Sequence, residues 1–338
     1  MTKICIDAMS YVEPSCVITS KEIEDKFKNN MDRFGFPEGF IETMSGIKER
    51  RIWEPGLLIH EAGLLSAKKL LKDYNINKNN IGCIINPSVC RDYIEPTLAA
   101  MYHNGLQLND RCMDFDINNA CMGFSQAVDI ISSYLKTKQI NYGLIIDAES
   151  SRNIIDLTSE RLSNPDISIE DFLLEFASLT LGSGSISMLL CREEDAIHDK
   201  HIIEETMFSV DSKHNMLCHA TSLKQMTCDA HTMLKAGIPL VDKTWKICKN
   251  EFSIWEDNID HYIPHQVSMP HTKALLKCAN IKMEKMELIF PLYGNTGPIA
   301  WPMGLAIAER EGRIKKGNQI GILSMGSGFN CSCMRLTW

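Results

Sequence analysis

Cys121 sits in Asp116-Ile117-Asn118-Asn119-Ala120-Cys121-Met122-Gly123-Phe124, between a strand-like run and a long amphipathic helical pattern. A thiol at the first turn of a helix faces the positive end of the helix dipole, which favours the thiolate. The thiolate is the nucleophile, so acyl transfer to sulfur is the leading chemistry for this position. A cysteine at such a junction can also be a small packing residue. The flanking Ala120 and Gly123 favour catalysis, because they leave room for a substrate to approach closely.

Two later motifs supply partners for a thiolate. His265 follows Pro264 at the end of a strand-like run; alone it reads as a satisfied polar residue as readily as a catalytic one. Asn295 lies in Gly294-Asn295-Thr296-Gly297-Pro298, a glycine-flanked turn entering a helix with Pro298 at its first position. The same turn can present the asparagine amide as a donor. Gly326-Ser327-Gly328 follows a strand, and such loops expose backbone N–H groups able to stabilise an oxyanion. His261, His265 and His271 do not have a common zinc spacing, and no CxxC or HExxH accompanies them, so no metal is expected.

The elements that must position these groups alternate between strand-like and helical patterns, which predicts an α/β fold. Residues 81–86, 113–117 and 142–148 read as buried strands. Between the last two, Phe124, Val128, Ile131 and Leu135 fall on one helical face. The second half repeats this grammar with a strand at 260–264, a helix over 272–278 and a late strand at 319–324; the run 183–190 mirrors that strand at the end of the first half. The polar segment 192–200 is the best internal boundary. It divides the chain into residues 1–196, carrying the nucleophile and a helical insertion, and 197–338, carrying His265 and Asn295. Segments 156–179 and 218–245 read as inserted helical lids.

A chain of 338 residues is long enough for two core-bearing domains or one double-layered domain. Its 44% apolar and 23% charged content is ordinary for a soluble enzyme. The net charge of −8 and the lack of a basic run disfavour nucleic-acid or membrane-surface binding, although a local basic patch for a phosphate-bearing ligand stays open. The opening residues 1–7 read as a strand rather than a secretory leader. Several of the thirteen cysteines fall in apolar runs. Both features predict a reducing cytoplasm. No apolar run reaches the roughly 20 residues of a membrane span.

Taken together, Asn119-Ala120-Cys121-Met122-Gly123-Phe124, Pro264-His265-Gln266, Gly294-Asn295-Thr296-Gly297 and Gly326-Ser327-Gly328-Phe329 occur in an order and spacing that resemble the ketoacyl-synthase III branch of the thiolase superfamily. Ser45-Gly46-Ile47-Lys48-Glu49-Arg50-Arg51 resembles an early motif of the same branch, so the resemblance covers nearly the whole chain. It implies a five-layered αβαβα thiolase fold, a homodimer and a Cys121–His265–Asn295 site. It further implies an oxyanion hole from the N–H groups of Cys121 and Ser327, and substrate contacts at Gly326, Gly328 and Phe124. No cofactor is implied beyond the acyl-CoA or acyl-carrier-protein thioester substrates. Glu95, in Tyr93-Ile94-Glu95-Pro96-Thr97, lies 26 residues before Cys121. The olefin-pathway condensing enzymes of the OleA group carry a glutamate at this spacing that reaches the neighbouring subunit's site; without that match Glu95 reads as a solvated surface carboxylate.

The resemblance implies acylation of Cys121 by one thioester, then attack by the enolate of a second. A decarboxylating synthase obtains its enolate by losing CO2 from a malonyl group. A non-decarboxylating Claisen enzyme must remove an α-proton and needs a positioned base. Glu95 in an apolar channel, its pKa raised by desolvation, would serve. The expected reaction is head-to-head condensation of two acyl-CoA molecules to a β-keto acid or thioester. The alternatives are a malonyl-dependent ketosynthase III, a pyrone- or resorcinol-forming enzyme, a hydroxymethylglutaryl-CoA-synthase-like enzyme, and a silent partner subunit. The last is disfavoured by the presence of Cys121. A degradative thiolase is also disfavoured, since its second catalytic cysteine is missing from Ser324-Met325-Gly326-Ser327-Gly328.

Overall fold

Strands Tyr142–Glu149 and Gly184–Arg192 are buried at every position. A strand with no wet face needs a layer against each side of its sheet. The computed structural model, which describes residues 2–222, 225–252 and 258–338, supplies those layers. Among the described residues, nine strands form one hydrogen-bonded network: β1 (Ile4–Val12), β2 (Ile81–Asn86), β3 (Met113–Asp116), β4 (Tyr142–Glu149), β5 (Gly184–Arg192), β6 (His201–Val210), β7 (His261–Pro264), β8 (Gln319–Gly326) and β9 (Asn330–Thr337). Their spatial order is β7-β8-β9-β6-β1-β5-β4-β2-β3. β1 and β6 meet only where Ile4, Cys5 and Ile6 face Ile203, Ile202 and His201. On either side of this short contact lie two sheets, one from each part of the chain.

Alternation along the strands sorts the side chains into separate cores. In β5, Ile186, Met188 and Leu190 join one core, and Leu189 and Cys191 join another. The first core lies between the sheets and encloses helices Gly123–Lys136 and Ala300–Arg310. Phe124, Val128, Ile131 and Leu135, the periodic positions of the first of these helices, are all part of it. The second core lies beneath helices Ile59–Asp73 and Leu98–Leu106. A third, with Trp245, Cys248, Tyr262 and Leu323, lies beneath helices Ala230–Glu251 and Met269–Ala279. The layers therefore run helix, sheet, helix, sheet, helix. Among the described residues no helix is long and apolar enough to cross a membrane.

Two readings need correction. Phe124 is not a substrate contact: its ring is fully buried and meets Trp301 edge to face, with centroids 5.3 Å apart, so it joins the two middle helices. Segment 156–179 is helical as expected, but 218–245 opens with a hairpin of Cys218–Ser222 and Gln225–Cys228 before helix Ala230–Glu251. Strands this short and mixed in polarity carry little apolar periodicity. Residues 223 and 224 of that segment lie outside the described residues.

Phe124→Ala should destabilise the fold by about 3–5 kcal/mol, because it removes a buried ring and leaves a cavity between two rigid layers. Phe124→Leu should cost less. Chemical denaturation with a constant m-value is the check.

Candidate active site

After β3 the chain turns through residues 117–122 before helix Gly123–Lys136 begins. Ala120 takes a positive φ of 45°, Met122 N–H donates to the Asn119 carbonyl at 2.9 Å, and Gly123 N–H donates to that of Ala120 at 3.1 Å. Cys121 therefore stands ahead of the helix rather than in its first turn. The smallness of Gly123 does not make room for substrate: a Cβ there would lie 2.5 Å from the Pro87 carbonyl oxygen.

The end of β8 is pressed against this turn. A Cβ on Gly326 would lie 3.2 Å from the Met122 nitrogen and 3.4 Å from that of Cys121. Asn330 Nδ2 donates to Asn119 Oδ1 at 3.0 Å, which ties the glycine loop to the nucleophile turn. The N–H groups of Cys121 and Ser327 donate to no other protein group among the described residues. Gly326 and Ser327 line the cavity, whereas Gly328, at φ +130°, shapes the loop behind them.

His265 is positioned by the residue that follows it. Gln266 is buried; its Nε2 donates to the Glu287 carbonyl at 3.0 Å, and its Oε1 accepts from the N–H groups of Ile289 at 2.6 Å and Phe290 at 3.1 Å. His265 N–H donates to the Leu323 carbonyl at 2.6 Å, securing the end of β7 to β8. His265 Nδ1 is buried without a partner among the described residues.

Asn295 is held at three points. Its N–H donates to the Thr180 carbonyl and its carbonyl accepts from Gly182 N–H, both at 2.8 Å. Its side-chain Oδ1 accepts from Gly297 N–H at 3.0 Å. With the amide oxygen engaged, Nδ2 remains as the donor, in agreement with the sequence reading. Gly182 has to be glycine here, because a Cβ would overlap the Tyr293 carbonyl.

Cys121, His265 and Asn295 open onto one cavity of about 1090 Å³. Its wall includes the apolar residues Met233, Leu234, Ile238, Val241, Leu275 and Leu157. Arg91 and Arg152 supply cationic groups. Burial governs the electrostatics. It pushes the Cys121 thiol up to about 12; the Cys218 thiol and the Glu149 carboxyl add to this, and the backbone at Cys121 opposes it. A helix dipole is worth about 0.3–1 kcal/mol to a surface charge, too little to offset such desolvation. Burial therefore opposes the resident thiolate that the sequence reading expected. Burial also holds His265 down at about 4, with His271 adding to the effect and the Gly297 backbone opposing it.

Glu95 is not among the residues that line this chain's cavity. It is exposed and follows Tyr93, 49% exposed, and Ile94, 95% exposed. The apolar channel expected around it is not supplied by this chain. Two wall residues escaped the sequence reading. His271, considered there only as a metal ligand, is held at about 4 by burial and pairs with Ser268 Oγ at 2.8 Å. Glu149 is buried, and burial raises its carboxyl to about 7 despite hydrogen bonds from Val89 and Cys90 that favour the charge. Two acidic residues, Asp147 and Glu149, in an otherwise apolar strand were the available signal. Among the described residues no group of three potential ligands could hold a metal ion.

Residues 115–165 match the family model described as 3-oxoacyl-[acyl-carrier-protein (ACP)] synthase III, and residues 251–338 match its C-terminal counterpart. An acyl-CoA:acyl-CoA alkyltransferase of Xanthomonas campestris pv. campestris is 35% identical, with 99% of this chain and 98% of that protein covered. One of Shewanella oneidensis is 28% identical over 100% of this chain and 99% of its own. The crystal structure of Xanthomonas campestris OleA with bound lauric acid and lauroyl-CoA superposes with a TM-score of 0.96 at 34% identity, covering 99% of each chain. The same protein has been solved with a cysteine, a histidine or a glutamate replaced by alanine.

A thiol held near 12 has a definite signature. Alkylation of Cys121 by iodoacetamide, followed by peptide mass, should rise about tenfold per pH unit up to about pH 10. A plateau at or below neutrality would mean that a thiolate is already present.

Proposed function

This chain belongs to the acyl-CoA:acyl-CoA alkyltransferase (OleA) group of the 3-oxoacyl-[acyl-carrier-protein] synthase III family, and we propose that it joins two long-chain acyl-CoA molecules head to head by Claisen condensation. The observation that carries the reading is the convergence of Cys121, His265 and Asn295 on one large cavity with many apolar wall residues. A thiol, an imidazole and a carboxamide donor are the groups an acyl-transfer condensation needs.

In the first half-reaction the neutral His265 accepts the Cys121 proton as sulfur attacks the thioester carbonyl. The oxyanion faces the unused N–H groups of Cys121 and Ser327. Collapse expels CoA, which leaves with the proton held by His265. The second acyl-CoA binds with its carbonyl against His265 and Asn295 Nδ2, where enolate charge is stabilised. Loss of an α-proton to a carboxylate generates the carbanion. It attacks the acyl-Cys121 carbonyl, a C–C bond forms, and the Cys121 sulfur departs.

We assign the carboxylate to Glu95, delivered by a second copy of the chain. In the Xanthomonas variants the altered glutamate precedes the altered cysteine by 26 positions, the separation of Glu95 from Cys121. The exposed Tyr93 and Ile94 beside Glu95 form an apolar projection suited to burial against such a copy. The thirteen free cysteines suit a cytoplasmic enzyme.

Saturated acyl-CoA alone should release free CoA and yield a β-keto product. An absolute requirement for a malonyl thioester would assign the enzyme to the decarboxylating synthases instead. Glu95→Gln should leave acylation of Cys121 intact by whole-protein mass and lower condensation by at least about 100-fold, the usual loss when a general base is removed. Light scattering should give twice the chain mass; a monomer that condenses at full rate would refute the delivery of Glu95 between chains.

A further inference from the structure

Glu95 sits on an arch whose far end is well secured. Thr97 caps helix Leu98–Leu106, its Oγ1 accepting from Ala100 N–H at 3.2 Å, and Asp116 accepts from the N–H groups of Leu98 at 3.1 Å and Ala99 at 2.9 Å. The near end is held by two carboxylates, and Cys90 is tied further by Ser88 Oγ, which donates to its carbonyl at 2.8 Å, and by its Sγ, which donates to the Ser150 carbonyl at 3.3 Å. Asp92 accepts from the N–H groups of Ile59 at 2.7 Å and His60 at 2.9 Å, and pairs with His60 Nδ1 at 2.7 Å. Before it, Val89 N–H donates to Glu149 Oε1 at 2.7 Å and Cys90 N–H to Glu149 Oε2 at 3.3 Å. Between these ends, residues 93–96 form no hydrogen bond among the described residues. The position of Glu95 is therefore set by how the two ends are held.

Glu149 and Asp92 both belong to the cavity wall shared with Cys121 and Asn295, and Glu149 is the one that also borders the Asn295 turn. Its Cδ lies 3.8 Å from where a Cβ on Gly297 would be, beside the Asn295 turn. Its backbone carbonyl accepts from Trp53 Nε1 at 2.9 Å, and β4 fixes the strand that bears it. One carboxylate thus receives the root of the arch on one side and borders the catalytic turn on the other. A buried carboxylate accepting two N–H donors holds a loop more firmly than neutral contacts do.

We propose that Glu149 is a positioning residue whose carboxylate anchors the arch, so that each chain's Glu149 governs condensation at the partner's Cys121 more than at its own. This inference rests on the proposed delivery of Glu95 between chains. Glu149→Gln is the probing change, because its Nε2 would face a backbone donor where an oxygen now accepts.

The test uses mixed dimers in which one chain carries Cys121→Ala, leaving a single working site. With Glu149→Gln on the inactive chain, condensation should fall at least about tenfold, the loss expected for a charge-assisted hydrogen bond. Glu149→Gln on the chain that keeps Cys121 alters the wall of the working cavity, so condensation there should fall, but less than in the first arrangement. Acyl loading of Cys121, read by whole-protein mass, should be unchanged in the first arrangement, where the working cavity keeps its own Glu149, and reports an intact site. Asp92→Asn, at the neighbouring anchor, should reproduce the pattern and serves if Glu149→Gln does not fold. A loss equal or larger when the change is on the chain with Cys121, or no loss in either arrangement, would overturn the proposal. Glu95→Gln in the same two arrangements separates the two ideas: if it is silent from the inactive chain, the delivery of Glu95 fails; if it acts there and Glu149→Gln does not, only the positioning role fails.

Discussion

Placement of Cys121 in the wall of a cavity is the constraint on which the rest of the site depends. Burial pulls the thiol up, to about 12, and the imidazole of His265 down, to about 4. In the proposed scheme activation comes from substrate, whose developing oxyanion would be stabilised by the N–H groups of Cys121 and Ser327 while His265 takes the thiol proton.

A site of this kind tolerates little positional error, and its backbone is held accordingly. Asn295 is pinned by Thr180, Gly182 and Gly297, Gln266 is spent on residues 287–290, and Asn330 reaches back to Asn119. Each catalytic side chain sits on a turn, and each turn is tied to a segment distant in sequence. The edge-to-face pair of Phe124 and Trp301 performs the corresponding task for the two helices that follow the Cys121 and Asn295 turns. The glycines at 123, 182 and 326 permit backbones to approach where a Cβ would collide or crowd.

The carboxylates divide into an exposed and a buried group. Glu95 stands outside, on a projection with apolar neighbours, while Glu149 lies inside and borders the Asn295 turn. A single chain brings Cys121, His265 and Asn295 to one cavity but leaves Glu95 exposed. In the proposed scheme the base for carbon–carbon bond formation enters only when two chains meet, so acylation and condensation have separable structural requirements.

The α/β alternation, the helix marked by Phe124, Val128, Ile131 and Leu135, and the turns at Cys121, His265 and Asn295 were legible because each depends on local periodicity or local turn chemistry. The hairpin at 218–228 was not, since its strands are too short and mixed to carry a period. The upward pull of burial on the Cys121 thiol was not legible, because a helix dipole is visible in sequence, whereas burial is not. Phe124 showed the same limit: its place on the apolar face was readable, but whether that face met substrate or Trp301 was not. By itself the sequence determined which groups could react and the order in which the chain presents them, since residue type and spacing are local properties. Only the tertiary structure decided which of them share one cavity and which stand at the surface, because burial is set by elements that are distant along the chain.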